Sequence, residues 1–123
     1  MEQALEEREE KRISILIRKT PFNTARNSEA LRMGLGLTLR DDRVQLLFVE
    51  DGVYSLIEAH PELIGSPGLR RHLETLQELD CPLIAEKESL DQRRLNPPPP
   101  PIEVRSRQEV ALLLAQSDIV ISY

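Results

Sequence analysis

The chain has 123 residues, of which 40% are hydrophobic, 3% aromatic and 30% charged, and its formal net charge is −5. This length suits a single domain whose core is built mainly from Leu, Ile and Val, because aromatic residues are scarce. Acidic and basic residues are intermixed along the chain, which argues against the clustered Lys and Arg of a nucleic-acid-binding surface.

Neither a membrane span nor a secretion signal is expected. No apolar run is long enough to cross a bilayer, and residues 1–11 are mostly charged or polar without the apolar centre of a signal peptide. We therefore predict a charged extension at 1–11, a domain at 12–123 and no membrane partner. Cys81 is the single cysteine and cannot form an internal disulfide, which fits a cytoplasmic location.

The first half of the chain alternates strand and helix signals. It predicts a strand at 12–18, a helix at 25–40, a strand at 44–49 and a short helix or irregular segment that ends near residue 57. Asn23 or Thr24 is suited to cap the first helix. Gly34 and Gly36 are poor helix formers, and we expect them to allow close packing of that helix against a neighbour.

The second half continues the alternation. It predicts a helix at 68–79, a strand at 82–85, a short helix at 89–95, a strand at 102–104, a helix at 106–116 and a final strand at 118–123. Ser89 and Gln92 resemble a capping box. The prolines at 97–101 suit a rigid polyproline II spacer or, alternatively, a ligand for SH3 or WW domains.

The apolar character of the first and last strands indicates the fold class. Residues 13–17 and 118–123 lack the in/out alternation of a half-exposed strand, so both are expected to be covered on two faces. Strands that alternate with helices form a parallel sheet with right-handed crossovers. The prediction is a single α/β domain with about five mainly parallel strands and helices on both faces.

Ligands of open α/β sheets bind at the carboxyl ends of the strands. The segments expected there are residues 19–26, 50–54, 86–89 and 105–106. The first forms an anion-friendly corner at a helix start, with candidates Asn23, Thr24 and Arg26, although ordinary capping explains the same residues. Asp51 and Gly52 form either a pocket wall or a turn, in which Gly52 supplies a positive φ and Asp51 bonds its own backbone.

Cys81 is the candidate nucleophile, but its position weakens that role. It precedes the third predicted strand, at the amino edge of the sheet and away from the expected pocket, and no base neighbours it in sequence. A free cysteine is more often a small buried apolar residue. His60 and His72 lack the spacing of metal ligands, and we expect no metal and no cofactor.

Four segments together resemble the DsrE/DsrF-like family, which includes the TusB, TusC and TusD subunits of bacterial sulfur relay. They are KTPFNTARNSEALRMGLGLTL after the first strand, LLFVEDGVYSL, ESLDQRRL, and ALLLAQSDIVISY at the end, which is closest to the TusC/DsrF type. The resemblance implies a flavodoxin-like three-layer sandwich. It also implies homo- or hetero-oligomers, commonly trimers or hexamers, in the cytoplasm.

The resemblance places a sulfur-carrying cysteine just before the segment ESLDQRRL. Here Ala85, Glu86 and Lys87 occupy that neighbourhood, whereas Cys81 lies several residues earlier. Glu86 therefore joins the ligand-binding candidates. Arg94 replaces the glycine that is usual after this helix in the family.

Three functions follow as hypotheses. The first is a non-catalytic, oligomeric subunit that is associated with sulfur relay, lacks its own sulfur-carrying cysteine and contacts a sulfur-carrier protein. The second is a sensor that binds a small anion or metabolite. The third is an enzyme, a sulfurtransferase or persulfide carrier that uses Cys81.

Overall fold

The sheet of the protein has five strands. The computed structural model describes residues 11–18, 32–34, 36–37, 42–56 and 67–123, the side chains of 67–72 excepted. The strands are β1 (Arg12–Ile17), β2 (Arg43–Phe48), β3 (Leu83–Glu86), β4 (Glu103–Arg105) and β5 (Ile119–Ser122). The helices are a 3₁₀ helix (Glu50–Leu56), α1 (Pro67–Glu78), α2 (Lys87–Gln92) and α3 (Arg107–Ala115), and residues 32–34 and 36–37 are also helical. Within these ranges no helix is long and apolar enough to cross a membrane.

All strand pairs are parallel, in the order β4-β3-β2-β1-β5. The chain steps outward from β1 to β4 and then crosses back to place β5 on the other side of β1. Main-chain hydrogen bonds extend this last pairing at both ends, from Asp118 N to the Arg12 carbonyl (2.8 Å) and from Arg18 N to the Tyr123 carbonyl (3.1 Å). The predicted parallel α/β sheet is confirmed.

Each face of the sheet has its own core. Ile15, Leu46 and Phe48 point to one face, where they are fully buried and pack with Leu76 of α1. Leu47 and Ile84 point to the other face and pack with Val110 of α3. Right-handed crossovers explain the division, because the connections from β1 to β4 run in one direction and the return to β5 runs in the opposite one.

Two helices end in the same hydrogen-bonded turn. After α1, Cys81 N donates to the Leu76 carbonyl (2.9 Å), and after α2, Leu95 N donates to the Leu90 carbonyl (3.0 Å). The residue before each donor adopts a positive φ: Asp80 has φ 57° and Arg94 has φ 54°. This is the Schellman ending, in which glycine is the usual residue at the left-handed position. Arg94 therefore keeps a glycine conformation with a larger side chain.

The prediction that the last strand is covered on both faces is wrong within the described structure. Ile119 is 38% exposed and Val120 is 46% exposed, whereas the central residues of β1 are buried. The physical reason is position. β5 pairs on one side only, with β1, and lies beyond the part of the face that α3 covers.

The predicted helix at 89–95 begins earlier than expected. The helix α2 starts at Lys87, and its cap residue, Glu86, makes no side-chain capping bond. Ser89 lies inside the helix and is fully buried, so the predicted capping box with Gln92 does not form. Its hydroxyl bonds to tertiary partners instead.

The two glycines of the first predicted helix differ in their surroundings. A Cβ added at Gly34 would lie 3.3 Å from side-chain carbons of both Ile15 and Leu46. The close approach predicted for Gly34 is therefore present. At Gly36 no described atom lies within 4 Å of the added carbon, so the packing reason does not apply there.

Candidate functional site

A buried carboxylate lies at the carboxyl edge of the sheet. Glu86 is the last residue of β3, and its side chain is 7% exposed. Its Oε1 atom accepts a 2.7 Å hydrogen bond from the Ser89 hydroxyl. The same hydroxyl oxygen accepts a 2.8 Å bond from the backbone N–H of Glu50, which follows β2. One buried serine thus connects the ends of two neighbouring strands.

An arginine at the start of α3 pairs with this carboxylate. Arg107 opens α3 and donates from Nε (3.2 Å) and Nη2 (3.0 Å) to Oε1 of Glu86. Its backbone N–H donates to Oε2 of Glu88. The hydrogen bonds from Arg107 to Glu86, followed by the charge attraction of that carboxylate, raise the pKa of Arg107. We call Glu50, Glu86, Glu88, Ser89 and Arg107 the Glu86 cluster.

The parallel register explains why Arg107 reaches this carboxylate. Glu86 pairs with Arg105 on β4, so α3 begins two residues later at the same edge of the sheet. A buried carboxylate is unfavourable unless it is paired and hydrogen-bonded. Three donors on Oε1 meet that need, and among the described residues none donates to Oε2.

A second ion pair stabilises the carboxyl edge of the sheet. Arg93, at the end of α2, donates a 3.0 Å hydrogen bond from Nε to Oδ1 of Asp51, and its Nη2 lies 2.9 Å from the same oxygen. Arg93 also donates to the Ser89 carbonyl at 3.2 Å. These contacts fix the 3₁₀ helix against α2. Asp51 therefore contacts a neighbouring helix and not, as the turn prediction had it, its own backbone.

The predicted role of Gly52 in the turn is also wrong. The positive φ in this segment belongs to Glu50, at 51°. Gly52 is needed for space, because a Cβ there would lie 2.0 Å from the Ile17 carbonyl oxygen. A 3.0 Å hydrogen bond from Val49 N, just after β2, to the Ile17 carbonyl oxygen holds the ends of β1 and β2 close together. Asn23, Thr24 and Arg26 lie outside the described residues.

The chemistry available at this edge is that of carboxylates and guanidinium groups. The Glu86 cluster contains three carboxylates and one arginine, so it suits hydrogen-bond donors and cations better than small anions. No group of three or more His, Cys, Asp or Glu in the described part of the chain is arranged to hold a metal ion. The side chains of His60 and His72 are not described.

Cys81 lies at the opposite edge, before β3. It is 6% exposed, and its thiol donates a 3.1 Å hydrogen bond to the Val44 carbonyl. Thiolates form where cations or donors surround the sulfur, whereas donation to a carbonyl favours the protonated thiol. Cys81 also lines a cavity of about 460 Å³ that opens at this amino edge.

The sequence predicts residues 86–89 at the carboxyl edge of the sheet, but it does not predict how Ser89 and Arg107 bind Glu86. The local pattern at Ser89 indicates a helix cap and does not indicate contacts with other strands. Arg107 directly follows the segment 105–106, which the sequence predicts at this edge. One signal was available. Glu86 ends a strand of buried residues, Leu83–Ala85, so a buried carboxylate there required a cation at the end of a neighbouring strand.

Comparisons with known proteins place this geometry in a family. The crystal structure of the ychN protein from E. coli superposes with a TM-score of 0.80, covering 92% of this chain and 99% of that one at 20% sequence identity. At that identity the likeness shows the fold alone. No curated protein matches the chain significantly. The model of the DsrE/DsrF-like family matches residues 11–123, and the chain belongs to that family.

Proposed function

We propose that this protein is a DsrE/DsrF-like subunit that takes part in sulfur relay without carrying sulfur itself. The observation that supports this most strongly is Glu86. It lies, buried and bonded to Ser89 and Arg107, where the family resemblance predicts the sulfur carrier. Family membership supports the link to sulfur relay, and the subunit acts as an accessory to partners that hold the reactive thiol.

A carboxylate cannot replace a carrier thiol in this chemistry. Persulfide formation requires a thiolate that attacks sulfur, and Glu86 has no such nucleophile. Its Oε1 atom is already occupied by three donors, which hold it in place.

Cys81 is poorly suited to take over the role. It lies at the other end of β3 from Glu86, is nearly buried and donates its thiol proton to the Val44 carbonyl. The sulfurtransferase hypothesis has one observation in its favour, since Cys81 borders a cavity that Arg12 and Arg43 also line. Cationic neighbours favour a thiolate.

A loading experiment separates these functions. The wild-type protein, Cys81→Ser and Glu86→Cys are incubated with inorganic polysulfide, freed of excess reagent and weighed by intact mass spectrometry before and after reduction. We expect no stable gain of sulfur by the wild type and a reducible gain of one sulfur atom by Glu86→Cys. Stoichiometric loading of the wild type that disappears in Cys81→Ser would establish the sulfurtransferase function instead.

We further propose that the subunit assembles with copies of itself. Leu112 is 58% exposed on the outer side of α3, and Val120 is 46% exposed on the edge strand β5. The opposite side of the helix is buried through Val110, so α3 is apolar on two sides. A helix that is hydrophobic on more than one side is usually covered on each of them.

Light scattering tests the assembly. We expect an oligomer at micromolar concentration, and we expect Leu112→Glu to shift it to smaller species because a charge would be buried in the interface. Gln92→Glu, on the exposed surface of α2, is the matched control and should leave the mass unchanged. A wild-type monomer across this concentration range would refute self-association. The anion-sensor hypothesis, whose main residues are not described, stays a prediction.

A further inference from the structure

The cavity at the amino edge of the sheet has a mixed polar and apolar lining. It lies where β1 and β2 begin, at the opposite edge from the Glu86 cluster, and encloses about 460 Å³. Among the described residues its lining includes Arg12, Asp42, Gln45, Leu79, Asp80 and Cys81. Cavities of this size hold small ligands. This cavity has polar lining groups, which purely apolar cavities lack.

A chain of hydrogen bonds fixes the orientation of the Gln45 amide. Ser117 donates its hydroxyl hydrogen to the Leu113 carbonyl at 2.8 Å, so it accepts in its bond with Ser14. Ser14 therefore donates its hydroxyl hydrogen to Ser117 and accepts the 2.8 Å hydrogen bond from Gln45 Nε2. Each hydroxyl has one hydrogen to give, which leaves no alternative assignment. Among the described residues no donor bonds to Gln45 Oε1, and Gln45 belongs to the cavity lining.

The described residues of the cavity lining also carry charges of both signs. Arg12 supplies a guanidinium, and Asp42 and Asp80 supply carboxylates. Within the described part of the chain, none of these three side chains forms a salt bridge. With Arg43, the described residues of the lining supply two positive and two negative groups, so a ligand with a single charge would meet attraction and repulsion together.

Apolar groups complete the lining. Leu79, which directly follows α1, is 38% exposed, whereas Leu76 within that helix is fully buried. Leu113 of α3 and Val44 of β2 also line the cavity. An apolar ligand body of a few carbon atoms would cover Leu79 and be removed from water, which favours binding.

We propose that this cavity binds a small zwitterion with an apolar body, of the size and chemistry of a free aliphatic amino acid. The Arg12 guanidinium binds the carboxylate of the ligand. The Gln45 amide oxygen and the Asp42 carboxylate accept its ammonium group, and Leu79 contacts its apolar portion. This site is separate from the Glu86 cluster and does not depend on the proposed sulfur-relay function.

Three matched probes test the charge requirement with the wild-type protein. L-leucine carries both charges, 4-methylpentanoate keeps only the carboxylate and isoamylamine keeps only the ammonium group. Binding is measured by saturation-transfer NMR and by protection of Cys81, which belongs to the cavity lining, from iodoacetamide. We expect leucine at ten times its dissociation constant to slow alkylation about tenfold, and each single-charge probe to bind about tenfold more weakly.

Variants of the lining residues test which side chain binds the carboxylate of the ligand and which binds its ammonium group. Arg12→Leu should weaken leucine binding about tenfold but not weaken isoamylamine binding, because it removes a like charge. Asp42→Asn should likewise weaken leucine binding but not weaken binding of 4-methylpentanoate. Arg105→Leu, which removes an exposed arginine at the opposite edge, is the control and should change nothing. Absence of saturation transfer to leucine at millimolar concentration would overturn the proposal. So would equal binding of leucine and 4-methylpentanoate, a comparison that needs no variant to fold.

Discussion

Replacement of Gly52 by alanine tests how closely the 3₁₀ helix packs on the end of β1. The new Cβ would lie 2.0 Å from the Ile17 carbonyl oxygen and 2.7 Å from its carbon, and both atoms belong to the backbone of a buried strand. The backbone cannot move aside as a flexible side chain would. Relief of the clash must separate the two segments and weaken the hydrogen bond from Val49 N to the same oxygen.

The expected cost follows from these two effects. Overpacking of a core typically costs about 1–3 kcal/mol, and loss of one backbone hydrogen bond adds about 1 kcal/mol. Gly52→Ala should therefore lower the free energy of unfolding by about 2–4 kcal/mol. Urea denaturation followed by far-UV circular dichroism measures this, and an unchanged slope against urea would show that the same surface is exposed on unfolding.

Two other glycines provide an internal comparison. Gly36→Ala meets no described atom within 4 Å, so it should stabilise the helical segment by about 0.5–1 kcal/mol through its higher helix propensity. Gly34→Ala meets two side-chain carbons at 3.3 Å and should fall between the others, near zero. A loss below about 1 kcal/mol for Gly52→Ala would refute the close approach.

Three further changes are expected to act locally. Ser89→Ala removes the buried hydroxyl that accepts the Glu50 N–H, and should cost about 1–3 kcal/mol in urea denaturation, with no loss if that N–H finds another partner. Arg94→Gly relieves a side chain held at φ 54° and should gain about 0.5–1 kcal/mol in the same assay, whereas a loss would mean that the arginine side chain contributes packing. The hydrogen bond from Arg105 lowers the pKa of Glu109, so its contribution to stability is complete above the ordinary carboxyl pKa of about 4.3 and is lost as pH falls through the lower folded value. Glu109→Gln should therefore flatten the decline in thermal stability below about pH 4.3, and an unchanged slope would contradict the pairing.

The sheet was predictable because its central strands carry their own signal. β1 and β2 are apolar without alternation, and the structure buries both on two faces. The last strand has the same composition but a different environment, since Val120 lies on an edge strand that α3 does not cover. The composition of a strand predicts that it is buried. It does not predict whether the surface that buries the strand belongs to the same domain.

The candidate site was harder to predict because its contacts join distant parts of the chain. Ser89 fits a local capping pattern, yet its hydroxyl serves Glu86 and Glu50, which only the pairing of β2 with β3 brings together. Arg107 reaches the carboxylate because β4 lies beside β3 in a fixed register. The close approach at Gly52 depends in the same way on a carbonyl of β1. None of these distances is encoded in the spacing of neighbouring residues.

The pairing of β5 with β1 also bears on how the domain folds. The hydrogen bond from the Arg12 N–H to the Asp118 carboxylate joins residues 106 positions apart, so a very long loop must close before this contact forms. Strands with such distant partners delay folding. During synthesis on the ribosome, β1 can pair with β2 as soon as both have emerged, but its other edge remains open until the final strand is made. Nascent chains that stall before residue 119 would therefore expose an unpaired apolar strand edge, a substrate that chaperones recognise.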